Sequence, residues 1–531
     1  MTTLHGKNFV AGRLVESPRT FAATSPFYGH ELPGRFALAT ADDVDAAAAA
    51  AAEAFEAFEA TSGATRARLL EAIADEILAA GDHLLERARL ETALPPERLI
   101  GERGRTVGQL RLFAEAARDG SWVDARIDRR QPDRQPVPRP DLRRLKRPIG
   151  PVVVFGSSNF PLAFSVAGGD TASSLCTGNP VIVKAHRGHP GTSEIVAAAV
   201  TRAVAGCDVP AGVFSMLHGE GSVVGTALVR HPATRAVGFT GSRSAGRALC
   251  DAAAARPDPI PVFAEMSSLN PVFLLPGALA ERGSEIASGL AASITLGVGQ
   301  FCTKPGLVFA VEGDDLDRFR EQLRTAIQSV PAGSMLTADI RDAFAGTRDN
   351  LCATDGATVL ARSRSPVDNA RTEAAALVVE TTAQVFLGIP ACREEVFGPC
   401  SLLVAARDAD ELCRLAASLD GQLTATIHGT TADLSTAGGL FAILARTAGR
   451  VVVNGFPTGV EVCPAMQHGG PWPATSDSRF TSVGTAAIER FVRPICYQNV
   501  PDACLPVALQ DANPLGIERL IDGVRTREAV A

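Results

Sequence analysis

The sequence predicts an α/β protein built on two parallel sheets, and three observations carry that reading. Four short apolar runs, PVVVFG (151–156), PVIVKA (180–185), VFSMLHG (213–219) and TRAVGFTG (234–241), alternate with helix-length segments rich in small residues. Strands and helices at this spacing build a parallel sheet with right-handed crossovers, the architecture that binds nucleotides at its carboxyl edge. A second alternating region runs from PVFAEMSSLNPVFLLP onward, with further strands expected at GLVFAV and RVVVNGF. The length, 531 residues, is more than one simple core organises, so two or three domains are expected.

The elements follow in order. HGKNFVAGRLVES and SPFYGHELPGRF read as short strands and turns. In TADDVDAAAAAAAEAFEAF, Thr40 and Asp43 stand at capping-box spacing before an alanine-rich helix, whose composition helix propensity explains. A second helix is expected over ATRARLLEAIADEILAAGDHLLERARLE, where apolar residues recur at helical spacing. The arginine- and proline-rich RIDRRQPDRQPVPRPDLRRLKRP cannot be a helix; it is a linker or an extended arm.

Composition narrows the function classes. Hydrophobic content of 46% and charged content of 21% describe an ordinary globular protein. The net charge of −7 (51 − 58) leaves no basic footprint for nucleic acid or an anionic membrane. No apolar run reaches bilayer length, and the N-terminus lacks a secretory layout. The eleven cysteines contain no C-x-x-C pair, so neither a disulfide framework nor a metal site is indicated. A reduced, cytoplasmic protein is expected.

One cysteine stands apart. In GVGQFCTKPG, Cys302 has glycines on both sides and lies on a turn-prone segment, as a small packing residue or as a nucleophile presented by a loop. Glu265 ends an apolar strand, as a partly exposed strand end or as a general base. Asn159, directly after PVVVFG, is a turn former or an amide aimed at a developing oxyanion. Lys184 closes PVIVK at the carboxyl edge, where it could reach a ribose or phosphate; His186, Arg187 and His189 after it read as surface groups, His186 also as a cofactor contact. Gly238, Gly241, Ser242 and Gly246 flank a helix entry, either as a tight turn or as a phosphate contact. Glu395, beside Phe397 and a Gly-Pro turn, reads by itself as a loop ion pair.

In order and context, SSNFP … VIVK … FTGS … AEMSSLNP … GQFC … EEVFGP resembles the aldehyde dehydrogenase superfamily over most of the chain. The resemblance implies a Rossmann-type cofactor domain (1–127 and 148–264), an α/β catalytic domain (265–476), and a small β oligomerisation arm (128–147 and 477–505), with a C-terminal extension (506–531). It implies Cys302 as nucleophile, Glu265 as base and Asn159 as oxyanion donor. It further implies Lys184, Gly241 and Ser242 as cofactor contacts, and Glu395 with Phe397 at the nicotinamide ribose. Finer segments, among them ETALPPERLIGERGRTVGQLRLF and LPVALQDANPLGIERLIDG, resemble the α-ketoglutaric semialdehyde (2,5-dioxovalerate) dehydrogenase branch. That branch is similar to a bacterial NADP-dependent fatty-aldehyde dehydrogenase with a histidine near the nucleophile; His468 in MQHGG matches it, as a proton carrier or a satisfied loop histidine.

The expected reaction is NAD(P)-dependent oxidation of an aldehyde, with a short oxo-acid semialdehyde ahead of an aliphatic aldehyde. A homo-oligomer, dimer or tetramer, is expected. No glutamate follows Lys184, which favours NADP, yet Ser222 stands where NADP-selective members of the branch carry arginine, so NADP or NAD is the cofactor. A semialdehyde carboxylate wants an arginine, and Arg103, Arg105 or Arg111 could supply it, with structural roles for at least two of the three. A coenzyme A-acylating enzyme and a non-catalytic cofactor-binding protein are the other readings. The retained Glu265 argues against the first, and the intact Cys302, Glu265 and Asn159 set against the second.

Overall fold

The four apolar runs at 151–241 join a fifth, Val262–Glu265, in one parallel sheet. The computed structural model describes residues 4–368 and 370–530. Across this sheet the strands lie in the order Val262–Glu265, Ala236–Thr240, Val152–Phe155, Val181–Lys184 and Phe214–Leu217. Asn8–Val10 and Arg13–Val15 extend it antiparallel beyond Phe214–Leu217. Strand order reverses between Val152–Phe155 and Ala236–Thr240, which opens a crevice at their carboxyl ends. Both faces are covered. Helices Gly63–Ala79, Pro96–Asp119, Gly169–Thr177 and Pro190–Gly206 pack one face, and Ala41–Glu59 with Arg243–Ala254 the other.

The capping box at Thr40 and Asp43 forms as the spacing predicts. The expected second helix is in fact two, Gly63–Ala79 and Gly81–Thr92. The break falls at Gly81, whose φ of 58° is left-handed and cannot continue a right-handed helix.

A second sheet carries six parallel strands: Leu377–Thr382, Cys400–Ala406, Leu307–Val311, Val272–Leu274, Gln422–His428 and Ala448–Val453, in that order. Thr358–Arg362 adds to it antiparallel. The arginine- and proline-rich stretch contains no helix. Its ends form Arg126–Asp128 and Leu142–Pro148, in a five-stranded sheet with Val492–Gln498, Arg519–Ile521 and Val524–Thr526. Several of its charges are paired within the protein, among them Arg143 with Asp141 and Asp511, Lys146 with Glu489, and Arg147 with Glu59. Among the described residues no helix is long and apolar enough to cross a membrane.

Candidate active site

Cys302 sits where the two large sheets meet, and its loop explains the glycines around it. Gly297, Val298 and Gly299 all take left-handed backbone, with φ of 56°, 57° and 67°. A Cβ on Gly299 would lie 2.2 Å from the Gly398 carbonyl, so only glycine fits. Val298 holds that conformation against its branched side chain, a strained position of the kind found where a loop must present a group.

Three side chains converge at the thiol. His468 Nε2 lies 3.5 Å from Cys302 Sγ and 2.9 Å from Glu265 Oε1. Ser482 Oγ donates to Glu265 Oε2 at 2.5 Å. His468 and Glu265 are 2% and 4% exposed, whereas the Cys302 thiol is half-buried and reachable. Burial opposes a charged imidazole, but the neighbouring Glu265 and Cys302 overcome it and raise the His468 pKa to about 10. Burial likewise pushes the Glu265 carboxyl up, and His468, Ser482 and Arg490 together hold it below its ordinary value. Glu265 and His468 are therefore an ion pair.

The main chain makes this meeting possible. Glu265 forms an antiparallel bridge with Thr475, and the Met266 N–H donates to the Ala474 carbonyl at 2.8 Å. The chain before that edge carries His468, whose N–H donates to Thr481 Oγ1 at 2.9 Å.

Asn159 Nδ2 donates to the Gln300 carbonyl at 3.0 Å, which sets its amide against the nucleophile loop and uses one of its two amide hydrogens. Its turn is fixed by Glu102, a buried carboxylate on Pro96–Asp119 that accepts from the Leu162 and Ala163 N–H groups at 2.9 and 3.0 Å.

Beside the turn, Phe160, Phe164 and Phe301 form an aromatic wall with ring centroids 5.3 and 5.5 Å apart. Two guanidinium groups lie over it. Arg98 stacks 4.4 Å above Phe160 and pairs with Glu102. Arg105 lies 5.6 Å over Phe160 and 5.2 Å over Phe164, and among the described residues its buried Nε and Nη2 have no hydrogen-bond partner. Burial pushes the Arg105 pKa down, against the charges of Cys302, Glu102 and Glu265 within its reach. Arg103 and Arg111 are used elsewhere: Arg103 donates to the Gly81 carbonyl at 3.1 Å, and Arg111 pairs with Asp75 at 3.2 Å on the surface.

At the crevice of the first sheet, Lys184 ends its strand as a buried residue. Burial and Arg187 push its pKa down to about 8, against the pull of Glu220. Ser242 caps Arg243–Ala254, accepting from the Ala245 N–H at 3.3 Å, and is exposed at the same edge. Gly241 and Gly246 permit close packing there, since a Cβ would lie 2.6 Å from the Phe239 ring or 2.7 Å from Met266. A buried lysine and a helix N-terminus at the carboxyl edge of one sheet fit an anionic dinucleotide.

His186 is half-buried, and its ring stacks on His189 at 5.4 Å. His189 is not the surface group expected. It is 1% exposed, because its Nε2 hydrogen-bonds the Ser157 carbonyl at 2.8 Å and so ties two strand ends together. Ser222 is exposed in the short helical turn Gly221–Gly225. Among the described residues Glu395 makes no ion pair of the expected kind; burial raises its pKa, against Ser267 and Lys304, and Phe397 is half-buried beside it.

Several site residues were not singled out from the sequence. Asn270 Nδ2 donates to the carbonyls of Cys302 and Lys304 at 2.8 and 3.0 Å, and its own φ of 48° is left-handed. Lys304, fully buried, donates to the carbonyls of Val396 and Cys400 at 2.9 and 2.6 Å. Its place beside the cysteine was the available signal. Glu102 and Ser482 lay in helical and loop stretches with no such mark.

A doubly wound sheet at one side, a second parallel sheet at the other, and a thiol with an imidazole and a carboxylate between them define a cysteine-dependent enzyme of the nucleotide-binding α/β class. The aldehyde dehydrogenase family profile matches residues 14–473, and the chain belongs to that family. It is 55% identical to alpha-ketoglutaric semialdehyde dehydrogenase 2 of Azospirillum brasilense over 521 residues, covering 98% of each chain. Against the alpha-ketoglutaric semialdehyde dehydrogenase of Acinetobacter baylyi it is 46% identical, covering 99% of this chain and 100% of the relative. Among solved structures, PnpE from Pseudomonas sp. WBC-3 superposes with a TM-score of 0.79 at 25% identity, covering 95% of this chain and 99% of PnpE. PnpE in complex with nicotinamide adenine dinucleotide gives the same score at 24% identity, covering 93% and 97%.

Proposed function

We propose that this protein oxidises 2-oxoglutarate semialdehyde to 2-oxoglutarate with NADP or NAD. The observation that carries the substrate assignment is Arg105. A guanidinium with two buried nitrogens that have no partner among the described residues is costly unless an anion meets it, and a carboxylate matches that fork. The substrate supplies one at the end remote from its aldehyde. Two relatives at 55% and 46% identity bear this activity in their names, which supports the same reading.

The chemistry follows from the converging side chains. Cys302 adds to the aldehyde carbon as the thiolate that the His468 imidazolium stabilises, its proton passing to solvent, while the Asn159 amide and the Cys302 backbone N–H steady the oxyanion. A nicotinamide dinucleotide held by Lys184, His186, Gly241, Ser242, Glu395 and Phe397 supplies the hydride acceptor. Loss of hydride leaves a thioester on Cys302. The sulfur then carries no negative charge, so one of the two anions holding a proton on His468 is gone. His468 then releases its proton to solvent, and the Glu265–His468 pair takes one from the attacking water as the thioester hydrolyses.

The first sheet and its helices serve as the cofactor domain (1–127 and 148–264) and the second as the catalytic domain (265–476). The five-stranded sheet around 128–147 and 477–505 serves as the arm of a cytoplasmic homo-oligomer, a dimer or tetramer.

Steady-state kinetics of wild type and Arg105→Gln with the semialdehyde and a long aliphatic aldehyde tests the assignment. Loss of a charged hydrogen-bonding partner is expected to raise KM for the semialdehyde about 10–100-fold and leave the aliphatic aldehyde nearly unchanged. A wild type that prefers the aliphatic aldehyde, with both substrates equally affected by the substitution, would contradict the proposal.

A further inference from the structure

The three groups at the thiol are also a metal-ligand set. Cys302 Sγ, His468 Nε2 and a Glu265 carboxylate oxygen all lie within 4.8 Å of one another. We infer that this cluster is an inhibitory zinc site: a zinc ion entering by the substrate route binds these three atoms and reversibly blocks the nucleophile.

Zinc bonds of about 2.3 Å to sulfur and 2.0–2.2 Å to nitrogen and oxygen, at tetrahedral angles, put ligand atoms about 3.4–3.6 Å apart. The Sγ to Nε2 distance is already 3.5 Å. The Nε2 to Oε1 distance of 2.9 Å has only to open by about half an ångström, and the sulfur to close on the carboxylate by rotation about its side chain.

Two further observations point to a ligand. Glu265 Oε1 is buried and, despite its closeness to His468, has no hydrogen bond of acceptable geometry among the described residues. Its other oxygen is held by Ser482, the outer support that orients a carboxylate towards a metal. Thiolate with imidazole selects zinc over magnesium or calcium, which prefer all-oxygen sites. Three protein ligands leave the fourth position for water. As the Zn–S and Zn–N bonds form, the thiol proton and the Nε2 proton of the imidazolium both pass to solvent. Zinc and aldehyde then compete for one sulfur.

The experiment has an activity arm and a spectroscopic arm. Zinc added to the full-length enzyme is expected to inhibit competitively with aldehyde, not with cofactor, and a chelator to restore activity. Cobalt substituted for zinc is expected to show a thiolate-to-cobalt charge-transfer band in the near ultraviolet. The band is expected to vanish in Cys302→Ala and after alkylation of wild-type Cys302. In His468→Ala cobalt affinity is expected to fall beyond the about 10–100-fold typical of an outer-shell partner. Replacing the exposed thiols, Cys496→Ser with Cys504→Ser, is expected to change nothing. Cofactor binding and a thermal melt confirm that each variant is folded, and the alkylation arm needs no substitution. Inhibition that aldehyde does not relieve, or a cobalt band that survives loss of Cys302, overturns the inference. Such a failure leaves aldehyde oxidation by the untreated enzyme intact, so it is separate from failure of the proposed function, on which only the competition arm rests.

Discussion

His468 decides how the site holds its proton. Its ordinary pKa of 6.5 rises to about 10 in the folded protein, because Glu265 and Cys302 outweigh the cost of burying it. A raised pKa stabilises the fold fully below 6.5, and that contribution is lost as pH climbs towards about 10. Glu265 runs the other way: its lowered value contributes above 4.5 and is lost as pH falls through the folded pKa. Urea midpoints of wild type and His468→Asn, compared between about pH 5 and 10, are expected to differ most near pH 5–6 and converge as the pH rises. A gap that widens with pH would mean a neutral imidazole in the folded state. Arg105 makes the complementary point about the substrate, because its neighbours on the same helix already have polar partners, whereas its buried Nε and Nη2 have none among the described residues.

At the scale of elements, the nucleophile loop is held from three directions: Asn270 on two of its carbonyls, Lys304 reaching to residues 396–400, and left-handed backbone at 297–299. Asn270→Ala leaves two carbonyls without their donor in a buried place and puts a Cβ without amide compensation at a φ of 48°. It is expected to cost about 2–4 kcal/mol, read as a shifted denaturation midpoint, together with a fall in kcat. Strand identity was legible in the sequence because each strand is a short apolar run ended by a glycine or polar residue. Cys302, Glu265 and Asn159 could be singled out because each follows such a run or lies on a glycine-bracketed loop, while their roles came only with the resemblance. Asn270 and Glu102 were not, since what matters in each is a hydrogen bond to backbone far away in sequence, which leaves no local pattern. His189 was misread for a related reason: a polar run after a strand looks exposed until the carbonyl it grips is known.

The whole molecule ties its late sequence back to the first sheet. Arg490, 4% exposed, donates to Asp170 at 2.7 Å, and Asp170 packs under Gly238, where a Cβ would lie 2.7 Å from its carboxylate. The same arginine helps hold the Glu265 carboxyl low. Arg490→Ala strands a buried carboxylate and is expected to destabilise the protein by about 3–5 kcal/mol, measured by chemical denaturation. The two-sheet plan was readable from alternation alone. The return of Arg519–Ile521 to lie parallel beside Arg126–Asp128 was not, because a three-residue strand carries too little pattern to announce its partner.

The central claim is that Cys302 carries the acyl group and that the Glu265–His468 pair removes it. Glu265→Gln keeps the shape and loses the charge, so deacylation is expected to slow about 10²–10⁴-fold while acylation survives. Intact-mass spectrometry of this variant, quenched after mixing with 2-oxoglutarate semialdehyde and NADP, tests the claim directly. A burst of reduced cofactor equal to the enzyme, with one acyl group retained and mapped to Cys302, is the predicted result. A variant that turns over at the wild-type rate with no adduct, or an adduct on another residue, would contradict it.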